Sequence, residues 1–416
     1  MSNQARSNTA SPSTGTRGPT LSRLTFILLA IEFLDELVDG SRQAAWPLIR
    51  RDLGLSYTDI GLLLTIPNFV GNIIEPPLAL LGDTRHRRTV ILSGGVCFAL
   101  ALLLVARSSG FASLLMAFVL FYPAGGAFVS LSQAALMDSA PARREQNMAR
   151  WAFAGSLGIV AGSLALNATI ATGAGWRAWF GVLCVVAVLL VLAARRFTFN
   201  AHGRAGGTPA QVGSREDAPV GVRQGALDAL RALRRGEVRR WLVLLELSDL
   251  MLDGFHGFLA LYFVDVVGVS DAQAGVAIAV WTGVGLSGDL LLIPLLERVR
   301  GLSYLRWSAL AMLFLFPAFL VASNLYFKLA LLGLIGITNA GWYSILKAQL
   351  YAAMPERSGA ALALNNVSGL VGGMIPLALG LFAERFGLGS MMWLLLAGPL
   401  AFLVAIPRRE KSSQTC

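Results

Sequence analysis

The chain has 416 residues, of which 55% are hydrophobic and only 14% are charged, and its formal net charge is +10. A soluble globular chain carries about 25% charged residues, so this composition excludes an ordinary soluble enzyme. The positive charge does not indicate nucleic acid as a partner, because the basic residues lie in short loops between long apolar runs. The sequence therefore predicts a protein that is embedded in a lipid bilayer.

Long apolar segments follow one another along the chain, and about 20 apolar residues are enough to cross a bilayer. We expect an all-α polytopic membrane protein with twelve transmembrane helices. The predicted spans are residues 22–49, 58–82, 89–107, 110–138, 148–173, 176–195, 239–265, 271–296, 303–323, 326–353, 359–384 and 388–407.

Composition also divides the chain into segments. Residues 1–21 are rich in Ser, Thr, Pro and Gly and form a predicted disordered cytoplasmic tail, followed by an N-terminal six-helix bundle at 22–196. Residues 197–238 form a polar cytoplasmic linker that closes with a basic segment, either an amphipathic helix on the membrane surface or a solvated linker. A C-terminal six-helix bundle at 239–407 and a short cytoplasmic tail at 408–416 complete the chain.

The basic residues predict the orientation. With an even number of spans, 26 of the 34 Lys and Arg residues fall on the side that carries both termini. Basic residues are enriched in cytoplasmic loops, so both termini are expected in the cytoplasm, with the protein in the cytoplasmic (inner) membrane. We expect a monomer.

The two halves of the chain are similar. A shift of 214 positions aligns Glu32–Gly40 with Glu246–Gly254, and the same shift pairs glycines and a tryptophan through six spans, as with Gly61 and Gly275 or Trp179 and Trp393. One constant offset indicates a parallel duplication. It predicts two six-helix bundles related by a pseudo-two-fold axis along the membrane normal.

Charged residues inside the predicted spans are the strongest functional signal. At about 100° per residue, Glu32, Asp35, Asp39 and Arg42 occupy an arc of about 80° on the first helix. The seventh helix repeats the pattern with Glu246, Asp249, Asp253 and His256. The second and eighth helices add one carboxylate each, Glu75 and Asp289. Such charges are costly in lipid, so these faces should line a shared wet cavity. Because the carboxylates are crowded, some of them could exchange protons near neutral pH. Alternatively, some lie near helix ends or form ion pairs that lock a bundle.

Two further patterns concern helix packing and the cavity. Gly158 and Gly162 form a small-x-x-x-small pair, which predicts close packing of the fifth helix on another helix. Asn339, Trp342 and Tyr343 are candidates to line the cavity, although an intramembrane Asn can equally serve hydrogen bonding between helices.

The loop after the second span resembles the Gly-x-x-x-Asp-(Arg)-x-Gly-Arg-Arg signature of the major facilitator superfamily of secondary transporters. The matching segment is Leu80–Arg88, in which His86 replaces the second glycine. The resemblance covers about 22–407 and implies that this loop closes a cytoplasmic gate. It implies gate roles for Gly82, Asp83, Arg87 and Arg88, with Asp138 and Arg143 as candidate partners. Glu75–Pro77 and Pro47 resemble the fosmidomycin-resistance branch of this superfamily.

We expect a secondary active transporter and not an enzyme, because the duplication and the gate-like loop favour transport. No Gly-x-x-x-x-Gly-Lys-Ser/Thr loop occurs in the chain, so transport would draw on a gradient or run downhill and not on ATP hydrolysis by that route. It would move a small molecule by alternating access, coupled to protons and with efflux favoured over uptake, and it would need no cofactor or resident metal. Two alternatives remain open. Asp, Glu and His on facing helices could bind the cargo of a divalent-metal exporter, or Asp35 and Asp249 could be the dyad of an intramembrane hydrolase.

Overall fold

The computed structural model describes residues 23–82, 86–139, 144–197, 234–353 and 372–406, and every regular element in these ranges is a helix. The first bundle contains α1 (Arg23–Leu53), α2 (Tyr57–Gly82), α3 (Arg87–Ala106), α4 (Phe111–Ser139), α5 (Arg144–Ala171) and α6 (Gly175–Ala194). The second contains α7 (Gly236–Val267), α8 (Asp271–Leu296), α9 (Gly301–Val321), α10a (Leu325–Asn339), α10b (Trp342–Ala352), α11 (Ile375–Phe386) and α12 (Leu388–Ala405).

The helices follow the predicted spans to within a few residues at most boundaries. In the described part of the chain, nine of them are long and apolar enough to cross a membrane. α1, α2 and α11 are not among the nine, and α1 carries five charged residues near its middle. Both tails, nearly all of the 197–238 linker with its amphipathic segment, and the start of the eleventh predicted span lie outside the described residues.

The contacts between helices confirm two bundles with pseudo-two-fold symmetry. In the first bundle α1 packs along α5, and α3 packs against α4 and α6; in the second, α8 packs against α10a, and α9 against α10a and α12. The main contacts between the bundles are α2 with α11 and α5 with α8, two pairs that a two-fold axis exchanges. α1 also contacts α7 and α8 across the same interface. The helices that carry the predicted charges therefore lie in the centre.

We name the two sides of the protein from α1. The terminal face is the side where α1 begins at Arg23, and the opposite face is the side where α1 ends at Leu53. Because the helices alternate in direction, the α2–α3 connection lies on the terminal face, and the α1–α2 and α7–α8 connections lie on the opposite face.

Close contact between α1 and α5 depends on glycine. A Cβ added at Gly158 would lie 2.6 Å from the backbone oxygen of Phe33, and one added at Gly162 would overlap the backbone of Leu37. Ser41 completes the contact by donating its hydroxyl to the Gly162 oxygen at 3.1 Å. The prediction that Gly158 and Gly162 serve helix packing is confirmed.

Three helices near the interface depart from regular α-helical geometry. α4 contains a π-helical turn at Gly126–Ser130, and α7 contains π-helical turns at Leu250–Gly254 and Tyr262–Val267. The tenth span is broken between α10a and α10b, a feature that the sequence prediction of one continuous span missed. The 214-residue offset relates Gly126 to Ala340, so the duplicated fourth and tenth helices are both irregular at the same position.

We expect Gly158→Ala to destabilise the protein by about 1–3 kcal/mol, because the added methyl group must push α1 and α5 apart. Thermal unfolding of the purified protein in detergent would measure this. Gly181→Ala in α6 is the matched control, since a Cβ there meets no atom of the described residues within 4 Å. Equal melting temperatures for the two variants would contradict this account of the packing.

Candidate functional site

The carboxylates in the first half of α1 lie against α5. Glu32 is buried, and its Oε1 lies 2.8 Å from the position that a Cβ at Gly155 would occupy. Glu36 packs against the same glycine, with its Cγ 3.3 Å from that position. The missing side chain at Gly155 thus makes room for two carboxylates. The sequence prediction did not include Glu36, although it lies about 40° from Glu32 around the helix and belongs to the same charged face.

Nearly two turns beyond Glu36 along α1, Arg42 is the centre of a polar cluster. Its guanidinium forms an ion pair with Asp39, and its Nη1 donates to the hydroxyl of Tyr122 on α4 at 3.1 Å. The guanidinium also lies over the rings of Phe118 and Tyr122, 6.0 and 5.9 Å from their centres. Arg42 is buried, so this cluster places a partnered positive charge inside the membrane.

The duplicated charges on α7 surround a π-helical turn. Asp249 is the last residue before the turn, Asp253 lies within it, and His256 follows it. Asp249 is within electrostatic reach of Glu246, Asp253 and Lys347 of α10b. Glu246 lies against Gly372, just before α11, as Glu32 lies against Gly155. The offset relates Glu32 to Glu246, so the same carboxylate position packs on a glycine in both halves.

The charged faces of the two bundles meet between α1 and α7. Asp253 and His256 are both within electrostatic reach of Asp39 and Arg42. Asp35 lies near Asp39, Arg42 and Glu75 of α2. Glu75 itself packs against Gly126, at the π-helical turn of α4. The side chain of Asp289, the counterpart of Glu75, lies outside what the structure describes.

A cavity of about 490 Å³ lies beside this junction. Asp253 and His256 line it from α7, Trp281 and Thr282 from α8, and Ser156 and Ile159 from α5 of the other bundle. Most of its remaining wall is the broken tenth span, including the three predicted cavity residues Asn339, Trp342 and Tyr343. The walls are therefore aromatic and polar, and they come mainly from the second bundle.

On the terminal face, Arg87 Nη1 lies 2.7 Å from Asp138 Oδ2, which joins the start of α3 to the end of α4. Arg87 is buried, and its neighbour Arg88 donates to the Arg195 backbone oxygen at the end of α6. Gly82 is the last residue of α2. Asp83 and Arg143, the other predicted gate charges, lie outside the described residues.

Polar contacts join the two bundles on the opposite face. Arg50 of α1 and Tyr57 of α2 both donate to Asp265 at the end of α7, at 2.8 and 2.9 Å. Arg51 pairs with Asp271 at the start of α8 at 2.6 Å. The structure is thus closed on this side. The sequence did not predict these pairs, because it does not indicate which helix ends of the two halves lie close together.

The backbone adds to this closure. The Tyr57 amide donates to Glu384 of α11 at 2.8 Å, and the Leu377 amide donates to the Thr65 hydroxyl at 3.2 Å. The Asn167 side chain of α5 donates to the Ala272 oxygen of α8 at 3.0 Å. Both pairs of helices that connect the bundles are therefore hydrogen-bonded near the opposite face.

The described residues contain no group of three or more His, Cys, Asp or Glu side chains that could hold a metal ion. His256 has no second histidine or cysteine beside it in that part of the chain. The carboxylates are instead distributed along α1 and α7.

The profile of the Major Facilitator Superfamily matches residues 28–377. No match was found among curated proteins. Solved structures with the same fold include the nucleoside transporter NupG, with a TM-score of 0.73 at 12% identity over 92% of this chain and 98% of that chain.

Two other solved structures are similar. A bacterial homologue of the human lysosomal transporter Spinster, in an inward-facing and unoccupied conformation, has a TM-score of 0.68 at 16% identity over 92% of this chain and 93% of that chain. The POT family transporter PepTSo has a TM-score of 0.65 at 13% identity over 93% and 97%. At these identities the similarity to solved structures shows only the fold. The superfamily profile matches most of the chain and therefore shows the family. The chain belongs to the Major Facilitator Superfamily and is a multi-pass membrane transporter of a small molecule.

Proposed function

We propose that the protein exports a small molecule across the cytoplasmic membrane in exchange for protons, with both termini in the cytoplasm. The observation that carries this proposal is the junction of Asp39 and Arg42 on α1 with Asp253 and His256 on α7. This junction lies between the bundles and beside the cavity, so any movement of one bundle against the other changes it.

Proton coupling requires groups whose proton affinity changes as the protein switches sides. The affinity of a carboxylate for protons depends on nearby charge and on the amount of water that reaches it. Rocking of the bundles would alter both quantities for the central carboxylates, which lie on helices from both halves. A substrate that competes with protons for this acidic cavity would leave as protons enter, which favours export.

Alternating access also requires that the closed side can open. The contacts on the opposite face are ion pairs and hydrogen bonds with side chains that are partly exposed to solvent, as for Arg51 at 61% and Asp265 at 24%. Exposed ion pairs contribute about 0–1 kcal/mol each, so this closure is reversible at modest cost. The terminal face would then close around the Arg87–Asp138 pair and the Asp83 loop.

The alternatives from the sequence have less support. A divalent-metal exporter would need a cluster of ligands, and the described residues contain no group of three. A hydrolase dyad needs two carboxylates that share a proton. Asp35 interacts with Asp39, Arg42 and Glu75, whereas Asp249 interacts with Glu246, Asp253 and Lys347, so the two lie in different clusters.

We expect that Asp35→Asn and Asp249→Asn still exchange substrate but no longer accumulate it against a gradient, because the amide cannot carry a proton. The protein in liposomes would first be screened for small molecules that cause proton movement across the bilayer under an imposed pH gradient. Glu237→Gln is the control, since Glu237 lies at the start of α7 on the terminal face. Full accumulation by both aspartate variants would assign coupling to other carboxylates.

Asp265→Asn should shift the protein towards the conformation that is open on the opposite face, because it weakens the contacts of both Arg50 and Tyr57 across the interface. Spin labels at Ser109 and Ser323, which are exposed loop residues of different bundles on this face, would report a longer distance. Asp52→Asn is the matched control, since Asp52 pairs with Arg177 and Trp176 inside the first bundle. An unchanged distance distribution in Asp265→Asn would show that the contacts of Asp265 do not hold the opposite face closed.

Removal of charge at Arg87 or Asp83 should slow transport by roughly tenfold without loss of protein from the membrane, because the terminal face would no longer close firmly. Labelling of an introduced cysteine at Ser344, in the cavity wall, should become faster from the cytoplasmic side in Arg87→Gln and Asp83→Asn. Arg107→Gln, on the opposite face, is the control. The gate role fails if labelling and transport both match those of the parent protein.

A further inference from the structure

The break in the tenth span lies in the wall of the cavity. α10a ends at Asn339, Ala340 is extended, and Gly341 has a φ of +72° before α10b begins at Trp342. A side chain at position 341 would be strained at this φ and would overlap Leu292 of α8. The hydroxyl of Tyr304 on α9 donates to the Ala340 oxygen at 3.0 Å, so a neighbouring helix holds the broken backbone in place.

The side-chain amide of Asn339 has no partner at this break. Asn339 is 3% exposed and lines the cavity, and neither its Oδ1 nor its Nδ2 has a hydrogen-bond partner among the described residues. A buried polar group left in this way costs about 1–3 kcal/mol. The neighbouring polar groups are satisfied, since Trp342 Nε1 donates to Ser308 Oγ at 2.8 Å and Lys347 donates to the Tyr343 hydroxyl at 3.0 Å.

A second unpartnered group faces the same cavity. Nε2 of His256 is buried and has no hydrogen-bond partner in the described part of the chain. Buried polar groups in proteins are nearly always paired, so these two groups in one cavity are available to hydrogen-bond a ligand that enters it. The volume of about 490 Å³ suits a small organic molecule.

The chemistry of the amide restricts the ligand. A primary amide offers one acceptor and one donor side by side in a plane, and a group with an adjacent N–H and C=O satisfies both at once. An ammonium group can only donate and a carboxylate can only accept, so each of them pairs with only one of the two polar groups of the amide. The Asp253 carboxylate, which is exposed in the cavity, also repels an anionic ligand. Trp281 and Tyr343 provide aromatic surface for a ring.

We propose that Asn339 determines substrate specificity by binding the cis-amide edge of an uncharged ring compound, of the lactam or cyclic imide class, with His256 providing a further hydrogen bond. This inference rests on the proposed transport function, because it assigns the cavity of that same site to the substrate. Water satisfies the two groups when the cavity holds no substrate.

Binding of two matched compounds to the full-length protein in detergent tests the proposal. Isothermal titration would compare isoquinolin-1(2H)-one, which has the cis-amide edge, with its N-methyl derivative, which lacks the donor. We expect the parent protein to bind the lactam at least about tenfold more tightly. Asn339→Leu should remove this preference, because it weakens binding of the lactam more than binding of the N-methyl compound, which can pair with the amide through its carbonyl alone.

Two variants support the interpretation. Asn339→Ala removes both the acceptor and the donor without adding bulk to the cavity wall, so it should also lose the preference even if Asn339→Leu does not fold. Thr338→Val is the control, because the Thr338 hydroxyl is bonded to Leu334 in its own helix. The proposal is overturned if the parent protein does not distinguish the two compounds, if neither compound binds at millimolar concentration, or if the Asn339 variants keep the preference.

The transport proposal is tested separately. Liposomes that show no proton movement with any substrate would contradict proton-coupled export, whereas the binding preference in detergent would still assign Asn339 to the ligand site. Conversely, transport that is coupled to protons with no preference for the cis-amide edge would leave the export proposal intact and remove the role of Asn339.

Discussion

Charge inside a membrane must be paired or reach water, and this requirement organises the interior of the protein. α1 carries four carboxylates and Arg42 in its middle, so it cannot face lipid and lies between α5, α7 and α8. The outer helices have the opposite character. α3, α6, α9 and α12 expose large apolar side chains, among them Leu100, Leu189, Phe314 and Val404. The positions of the charges thus decide which helices are central and which contact lipid.

The glycines of α5 make room for the charged side chains of α1 while the two helices stay closely packed. Gly155 provides space for Glu32 and Glu36, while Gly158 and Gly162 bring the backbones of α1 and α5 into contact one and two turns away. Apolar surface gives little association energy in lipid, so close backbone packing and hydrogen bonds such as that of Ser41 stabilise the pair. The interface between the bundles is more polar, which fits two rigid bodies that separate and rejoin.

Much of this arrangement could be predicted from the sequence, because hydropathy fixes the spans and the 214-residue repeat fixes the symmetry. Two features could not. The break at Ala340 and Gly341 depends on tertiary support from Tyr304 and on local backbone geometry, which apolar periodicity does not reveal. The pairing of Arg50 with Asp265 depends on which conformation of the transport cycle the protein adopts. The same sequence forms every conformation of that cycle, so it does not indicate which pairs are made in any one of them. The charged faces of α1 and α7, in contrast, follow from helical geometry alone.

The duplication has diverged at positions where the two halves have different tasks. The offset relates Arg42 to His256 and Gly125 to Asn339. Arginine stays charged in proteins, so on α1 the partner of Asp39 is permanent. The imidazole on α7 faces the cavity, and its Nε2 has no hydrogen-bond partner among the described residues. The glycine on α4 leaves room beside Asp35, whereas Asn339 in the broken tenth span presents an amide. In the proposed mechanism the fixed ion pair therefore lies in the first bundle, and His256 and Asn339 of the second bundle respond to the ligand. Because the two sets meet between α1 and α7, binding in one bundle is transmitted directly to the charges of the other.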